Sequence, residues 1–184
     1  MALTRSEQLA VGMPVPAFSL PDVVTGKLVT AESAAGAKAL VVIFLCRHCP
    51  YVVHVLPEVI RLAGDYLPKG VAFLGISAND AATYPNDAPP KLAAMVAERN
   101  IPFPILYDES QETARGFGAV CTPEFFVFDG ARGLYYHGRL DGSTPGNDVA
   151  CKGVDLRAAL DDLLAGAPPL SPQQPSMGCN IKWK

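Results

Sequence analysis

The pattern of hydrophobic positions changes several times along the chain, and each change marks a predicted element. Residues 39–45 form a continuous apolar run rich in Val and Ile, which is typical of a strand buried on both faces. From Cys49 to Leu67, apolar residues recur at helical spacing and predict a long helix with one apolar stripe. Pro57 falls inside this helix and is expected to kink it.

Weaker patterns before and after this helix complete the set of predicted elements. Two short apolar segments on either side of residues 25–27 predict a hairpin near the N-terminus. After the long helix, the pattern predicts a buried strand, a helix, a short strand, a brief helix, two strands and a last helix, at residues 71–77, 92–99, 103–107, 110–116, 124–129, 134–139 and 156–164.

The order of these elements predicts an α/β fold. Alternation of strand and helix in the first part indicates parallel pairing through right-handed crossovers, and the later strand pair indicates an antiparallel edge. We therefore predict a mixed central β-sheet flanked by helices, with an N-terminal hairpin and a C-terminal extension. The length suits a single domain over residues 1–184. Residues 167–184 are rich in proline and are predicted to form an extended tail, whose end docks through Ile181 and Trp183.

Charge and hydropathy exclude several classes of partner. The net charge is −3 and no basic stripe is present, so a nucleic-acid partner is not expected. The longest apolar stretch is far shorter than the roughly 18 residues that a membrane-spanning helix needs. The N-terminal residues lack the apolar region of a secretory signal, so we expect no membrane partner and a cytoplasmic location. No cofactor is predicted, and the sequence does not indicate an oligomeric state.

Two of the five cysteines form a Cys-x-x-Cys motif, Cys46 and Cys49, between the buried strand and the long helix. In a reducing compartment, such a pair is more often catalytic or metal-binding than structural. The free N–H groups at the start of a helix favour a thiolate, and we expect Cys46 to be exposed beside them as the nucleophile. Cys49 lies about one helical turn further on and is expected to act as the resolving thiol.

The two residues inside the motif, Arg47 and His48, are predicted to tune it. Arg47 is cationic and His48 can be, and both are expected to stabilise a thiolate at Cys46. The pKa of Cys46 is therefore predicted to lie below the free value of about 8.5. Stabilising the reduced form makes the corresponding disulfide more oxidising.

Two other interpretations of the cysteine pair remain open from the residues alone. The cysteines can be simple core residues, although their position at a strand-to-helix junction favours redox chemistry. A metal-binding domain is the second alternative, with Cys46, His48, Cys49 and Cys121 as four ligands. The neighbouring ligands diverge in direction, which disfavours the tetrahedral arrangement that such a site needs.

Four segments carry a family resemblance: residues 44–52 around the motif, 75–80, 122–129 with its Thr-Pro, and the C-terminal 176–184. Together they resemble the thioredoxin superfamily, in the redoxin branch between thioredoxins and the alkyl hydroperoxide reductase/thiol-specific antioxidant proteins. The resemblance implies a thioredoxin-like fold and a thiol–disulfide oxidoreductase. Its expected partner is a disulfide-containing protein or a small thiol or disulfide.

The resemblance also implies a substrate-binding edge. Pro123 is expected to be the cis-proline that faces the cysteine pair, and the backbone of Thr122 is expected to pair with an extended substrate segment. The buried Asp of thioredoxins is replaced here by Leu40, so another base must assist Cys49. Glu124 is a weak candidate for that base, and an exposed carboxylate at the strand edge is the more common role for such a residue.

A second family, the peroxiredoxins, offers a rival function. Their Thr-x-x-Cys-Pro motif overlays Cys46-x-x-Cys49-Pro50, so that Cys49 would attack a peroxide and pass through a sulfenic acid, with Cys46 or another cysteine resolving it. The hydroxyl of that motif is a thiol here, which disfavours the donor network that the peroxide reaction needs. We favour disulfide exchange because attack by an exposed first Cys of low pKa is the simpler chemistry.

The remaining cysteines have no assigned partner in the sequence. Cys121 lies two residues before Pro123 and is either a third redox thiol or, more often for a free Cys, a small buried hydrophobic residue. Cys151 and Cys179 can form a disulfide or resolve a partner, and the sequence alone does not pair them. His137 is expected to be an edge residue without a catalytic role.

Overall fold

The structure, a computed structural model, describes residues 3–184. Its strands are β1 (Leu3–Arg5), β2 (Ser19–Pro21), β3 (Leu28–Thr30), β4 (Ala39–Phe44), β5 (Val71–Ser77), β6 (Ile105–Tyr107), β7 (Cys121–Thr122), β8 (Glu124–Asp129), β9 (Leu134–Gly138) and β10 (Met177–Asn180). Its helices are α1 (Pro50–Tyr66), α2 (Pro89–Arg99), α3 (Glu112–Phe117) and α4 (Val154–Leu164). Short 3₁₀ turns cover Ala31–Ala34, Leu67–Lys69 and Pro85–Asp87.

The central sheet has the strand order β6-β5-β4-β8-β9. The strands β4, β5 and β6 run parallel, whereas β8 and β9 continue the sheet antiparallel. All six residues of β4 are buried, because the strand is central and both faces of the sheet are covered. This confirms the predicted mixed α/β architecture, and the sheet order and helix placement are those of a thioredoxin-like fold.

Alternate residues of β4 supply two hydrophobic cores, one on each face of the sheet. Val41 and Ile43 pack with the apolar residues of α1, α2 and α4. Leu40, Val42 and Phe44 pack on the other face with α3 and the hairpin β2–β3, which forms as predicted. Successive strand residues point to opposite faces, so one short apolar run anchors both cores.

A second, smaller sheet, with the order β1-β10-β7, was not predicted. The tail folds back, and its strand β10 pairs antiparallel with β1 on one side and with β7 on the other. Ile181 is only 1% exposed, and Arg115 lies 4.4 Å from the ring centre of Trp183. The end of the tail is therefore docked on the body of the protein, as these two side chains indicated.

Within the described residues 3–184, none of the helices has the length and apolar character needed to cross a membrane.

Phe117 of α3 is expected to carry much of the stability of the second core. It is fully buried, and its ring contacts those of Phe44, Phe126 and Phe128 at centroid distances of 5.4, 5.3 and 5.9 Å. We expect Phe117→Ala to lower the free energy of unfolding by about 3–5 kcal/mol, because the lost contacts leave a cavity. Urea unfolding measures this change.

The matched control is Val53→Ala on α1, where the side chain is half exposed. This change should alter the unfolding free energy by no more than about 0.5 kcal/mol. Equal effects of the two substitutions would contradict the assigned role of Phe117.

Candidate active site

The cysteine pair lies at the predicted junction between a strand and a helix. Strand β4 ends at Phe44, α1 begins at Pro50, and Cys49 is the N-cap residue of α1. The expectation that Cys46 is exposed is wrong, because Cys46 is 1% exposed and Cys49 is fully buried. The segment before Pro123 and the C-terminal strand β10 cover the pair.

Three close contacts define the surroundings of the two sulfurs. The Sγ of Cys46 lies 3.6 Å from the hydroxyl of Thr122. The Sγ of Cys49 lies 3.2 Å from the carbonyl oxygen of Thr122 and 2.8 Å from the Sγ of Cys179. The site therefore contains three thiols, of which Cys179 was not recognised from the sequence as part of it.

Cys49, rather than Cys46, has the lowered pKa. A hydrogen bond from the Cys46 thiol lowers the pKa of Cys49 to about 4, against the opposing effect of burial, with further donation from Cys179 and the backbone N–H of Val52. The Thr122 carbonyl favours the thiol form, but it is one acceptor against several donors. A thiolate at a helix N-cap also benefits from the positive end of the helix dipole.

The pKa of Cys46 is raised, contrary to the prediction. The Cys46 thiol acts as the donor to Cys49, and burial and the negative charge of Asp87 add to the same effect. Each of these influences favours the neutral thiol. Cys46 is therefore the protonated partner of the pair.

Arg47 and His48 were predicted to stabilise a thiolate at Cys46. The structure does not support this, because both side chains pair with acidic residues. The guanidinium of Arg47 forms an ion pair with Glu98 at 3.2 Å. The Nδ1 of His48 lies 2.5 Å from the Oδ2 of Asp87, and its ring stacks on Tyr84. A ring nitrogen of His48 lies within 4.8 Å of the Sγ of Cys46, but its carboxylate partner Asp87 lies within the same distance and raises the pKa of the Cys46 thiol.

Asp87 organises the loop between the cysteines and was missed by the sequence analysis. It is fully buried, and its Oδ1 accepts hydrogen bonds from the backbone N–H groups of Arg47 at 2.8 Å and His48 at 3.3 Å. Its Oδ2 accepts a hydrogen bond from the side chain of Asn79 at 2.8 Å. An acidic residue followed by alanine and proline in a loop gives little sequence signal for this role, since the backbone groups that it binds, in Arg47 and His48, lie about 40 residues earlier.

The peptide bond between Thr122 and Pro123 is cis, which confirms the expected form of this bond, and the part of Pro123 in substrate binding stays a prediction. Thr122 belongs to β7 and contacts both sulfurs of the motif. Its pairing edge, however, is occupied by β10 of the same chain, with Cys179 opposite Thr122. The edge expected to hold a substrate thus holds the tail in this structure.

Glu124 does not have the position expected of a base for Cys49 or of an exposed edge carboxylate. It is fully buried, and it accepts hydrogen bonds from the backbone N–H groups of Val120 and Cys121. It also lies 2.7 Å from the Nε2 of His137, which is itself buried and stacks on Phe126, so the expected edge position of His137 is wrong. Among the hydrogen bonds of the described residues, none joins Glu124 to Cys49.

The other two cysteines differ in their surroundings. Cys121 is fully buried, which agrees with its interpretation as a small hydrophobic residue, and burial beside Glu124 raises the pKa of its thiol. Cys151 is partly exposed, and burial together with Asp141 raises its pKa to about 11.

The structure does not assemble the four metal ligands considered from the sequence. Within residues 3–184, the one group of three or more possible ligand atoms that all lie within 4.8 Å of one another is that of Cys46, His48 and Asp87, without Cys49 or Cys121. The His48 and Asp87 side chains already bond to each other.

Comparison with known proteins agrees with this geometry. The family model described as Redoxin matches residues 10–150. The chain belongs to the redoxin family. Membership assigns it a thiol redox function in general terms, and a search of the curated proteins returns no match.

Among solved structures, two relatives resemble this redoxin over almost their whole length. An uncharacterized conserved protein from Geobacillus kaustophilus is 45% identical, with a TM-score of 0.97 over 100% of this chain and 97% of that chain. A hypothetical protein from Sinorhizobium meliloti 1021 is 40% identical, with a TM-score of 0.96 over 98% of each chain.

A more distant structure shares the fold. It is a thiol:disulfide interchange protein of the thioredoxin family from Chlorobium tepidum, with 21% identity and a TM-score of 0.65 over 85% of this chain and 99% of that chain.

The protonation of the pair can be tested by titration of the thiolate. Ultraviolet thiolate absorbance of the reduced protein should show a step with a midpoint near the Cys49 pKa of about 4. Cys46→Ala should raise that midpoint more than Cys46→Ser, because serine retains a donor hydroxyl. The step should vanish in Cys49→Ser, and a step that persists there would assign the thiolate to another cysteine.

Proposed function

We propose that this redoxin is a thiol–disulfide oxidoreductase in which the pair Cys46 and Cys49 exchanges electrons with disulfides of proteins or small molecules. The observation that carries the proposal is a thiolate-favouring environment at Cys49 next to a protonated thiol at Cys46. The thiolate is the nucleophile in disulfide exchange, and a neighbouring thiol completes it. The order of attack is therefore the reverse of the one expected from the sequence.

Four sulfurs take part in the reaction, namely those of Cys46 and Cys49 and the two of the substrate disulfide. The Cys49 thiolate attacks one sulfur of the substrate disulfide, forms a mixed disulfide, and releases the other half of the substrate as a thiolate. Cys46 then attacks the Sγ of Cys49, which releases the second half of the substrate. The protein is left with a Cys46–Cys49 disulfide, and an external dithiol returns it to the reduced form.

Cys46 must lose its proton for the second attack, and the pair His48 and Asp87 is placed to receive it. The ligand-type atoms of all three residues lie within 4.8 Å of one another. Cys46 also loses its interaction with a negative Cys49 once Cys49 is part of a mixed disulfide, so that its pKa falls at the required stage. Arg47 and Glu98 form a partly exposed ion pair with each other, and we assign them no part in this step.

The family and the general fold support thiol redox chemistry, and a thiol:disulfide interchange protein is among the structures that share the fold. The proposed partners are thiols and disulfides, and the proposed location is the cytoplasm, where a reducing environment maintains the dithiol form.

Peroxide reduction is the second candidate, favoured by the burial of the pair. Cys46 and Cys49 are at most 1% exposed, so a small oxidant reaches them more readily than a loop of a folded protein. In this case the Cys49 thiolate attacks a peroxide oxygen, water or an alcohol leaves, and the resulting sulfenic acid condenses with a neighbouring thiol.

The two candidates are separated by measuring turnover of insulin, of a small disulfide and of hydrogen peroxide side by side with one dithiol reductant. Cys49→Ser should reduce disulfide turnover to the rate without enzyme, because the nucleophile is lost. Cys151→Ser is the control and should retain the wild-type rate, since the groups that interact with Cys151 are Asp141, Glu58 and Ser143 and not the three thiols of the site.

Disulfide turnover that survives in Cys49→Ser would contradict the assignment of the nucleophile. A catalysed rate with hydrogen peroxide but none with either disulfide would replace disulfide exchange by the second candidate.

A further inference from the structure

The C-terminal strand β10 lies where an extended substrate was expected to bind. It pairs antiparallel with β7 next to the cis-proline, with Cys179 opposite Thr122 and Asn180 opposite Cys121. On its other side, β10 pairs with β1, where Leu3 lies opposite Cys179. The tail therefore presents one of its own side chains to the cysteine pair, as a bound disulfide substrate would.

The side chain that it presents is a thiol in contact with the nucleophile. The Sγ atoms of Cys49 and Cys179 are 2.8 Å apart. A disulfide has an S–S distance of about 2.05 Å, so closing a bond between these atoms requires only a small shift. Both residues are buried, and Cys179 is 5% exposed.

The tail approaches the rest of the protein so closely at two positions that only glycine fits there. A Cβ at Gly178 would collide with the carbonyl of Thr122, and a Cβ at Gly138 would collide with the carbonyl of Gln174. Glycine at these two positions allows the tail to approach the sheet and the cis-proline segment closely. The sequence therefore provides a glycine at each of the two points where the tail lies against its neighbours.

Hydrogen bonds hold the chain on either side of Cys179. Before it, the backbone N–H of Ser6 donates to the carbonyl of Ser176 at 3.0 Å. After it, the backbone N–H of Lys182 donates to the Oδ1 of Asn79 at 2.8 Å, and its carbonyl accepts from the side chain of Gln111 at 2.8 Å. Fixed on both sides, Cys179 is held in position for reaction with Cys49.

We propose that Cys179 is a third redox thiol of this site, which closes an internal disulfide with Cys49 and so releases the thiol bound to it. The inference deepens the proposed function and rests on it. It gives the mixed disulfide two competing resolving thiols, Cys46 on the loop and Cys179 on the tail.

The step balances without a further reactant. After Cys49 has attacked a substrate disulfide, the sulfur of Cys179 attacks the Sγ of Cys49. The bond between Cys49 and the substrate sulfur breaks, the Cys49–Cys179 bond forms, and the departing substrate thiolate takes up the proton that Cys179 loses. Cys49 and Cys179 are oxidised by two electrons, and the substrate is reduced by two.

Electrostatics favours this step only after the first attack. Burial and the charge and hydrogen bond of the Cys49 thiolate raise the pKa of Cys179 to about 12, so it is a neutral thiol in the reduced protein. Formation of a mixed disulfide removes the negative charge from Cys49, and the ammonium of Lys182 then favours ionisation of Cys179. Cys179 becomes nucleophilic when Cys49 becomes electrophilic.

Peptide mapping tests the proposal directly, because trypsin places all five cysteines on separate peptides. The cleavage sites put Cys46, Cys49 and Cys179 on residues 39–47, 48–61 and 158–182, and Cys121 and Cys151 on residues 116–132 and 140–152. The full-length reduced protein is treated with limiting glutathione disulfide, free thiols are blocked with N-ethylmaleimide in acid, and the digest is analysed without reductant.

A cross-link between residues 48–61 and 158–182 is the expected product, alongside the link between 39–47 and 48–61. A Cys179 that stays fully alkylated while Cys46 and Cys49 become linked would overturn the inference and leave the proposed function intact. A Cys49 that forms neither a cross-link nor a glutathione adduct would overturn both.

Variants that lack the Cys46 thiol provide a second readout, because Cys46 can then no longer resolve the adduct on Cys49. Cys46→Ser should release two glutathione molecules per protein and form the Cys49–Cys179 disulfide. Cys46→Ser combined with Cys179→Ser should release one and retain a stable glutathione adduct on Cys49. Cys46→Ser combined with Cys151→Ser is the matched control and should behave like Cys46→Ser alone. A stable adduct in Cys46→Ser itself would contradict the role of Cys179.

Discussion

A negative charge on a fully buried sulfur is the constraint on which the site depends. Burial alone disfavours a thiolate, so donors must converge on Cys49 to offset the lost hydration. The N-terminus of α1 supplies one donor and the dipole of the helix, the Cys46 loop supplies another, and the C-terminal strand supplies a third. These three segments meet because β4 ends beneath them and Asp87 fixes the loop.

The elements of the fold could be predicted because their signals are local. The apolar run of β4 and the helical spacing of α1 require only neighbouring residues, and both were located to within about one residue of their observed bounds. The junction that holds Cys46 and Cys49 follows from those two elements. The cis form of Pro123 came from the family resemblance and not from the spacing of residues.

The chemistry within the site depended on contacts that the sequence does not encode locally. Arg47 and His48 are adjacent to the cysteines, but their side chains engage Glu98 and Asp87, and Asp87 adds a negative charge near Cys46. The assignment of nucleophile and resolving thiol was reversed for this reason. Strand β10 was missed because four residues give little periodicity, and its pairing partners lie at distant points of the chain.

Cys49 and Cys179 are 130 residues apart in the sequence, so the parts of the site are synthesised one after the other. The ribosome makes the strand, the loop and the helix long before it makes the strand that covers them. Until β10 emerges from the ribosome, the cysteine pair is not covered and the edge of β7 is unpaired in the nascent chain. The buried thiolate is therefore a property that the protein acquires only after residues 177–180 have been synthesised.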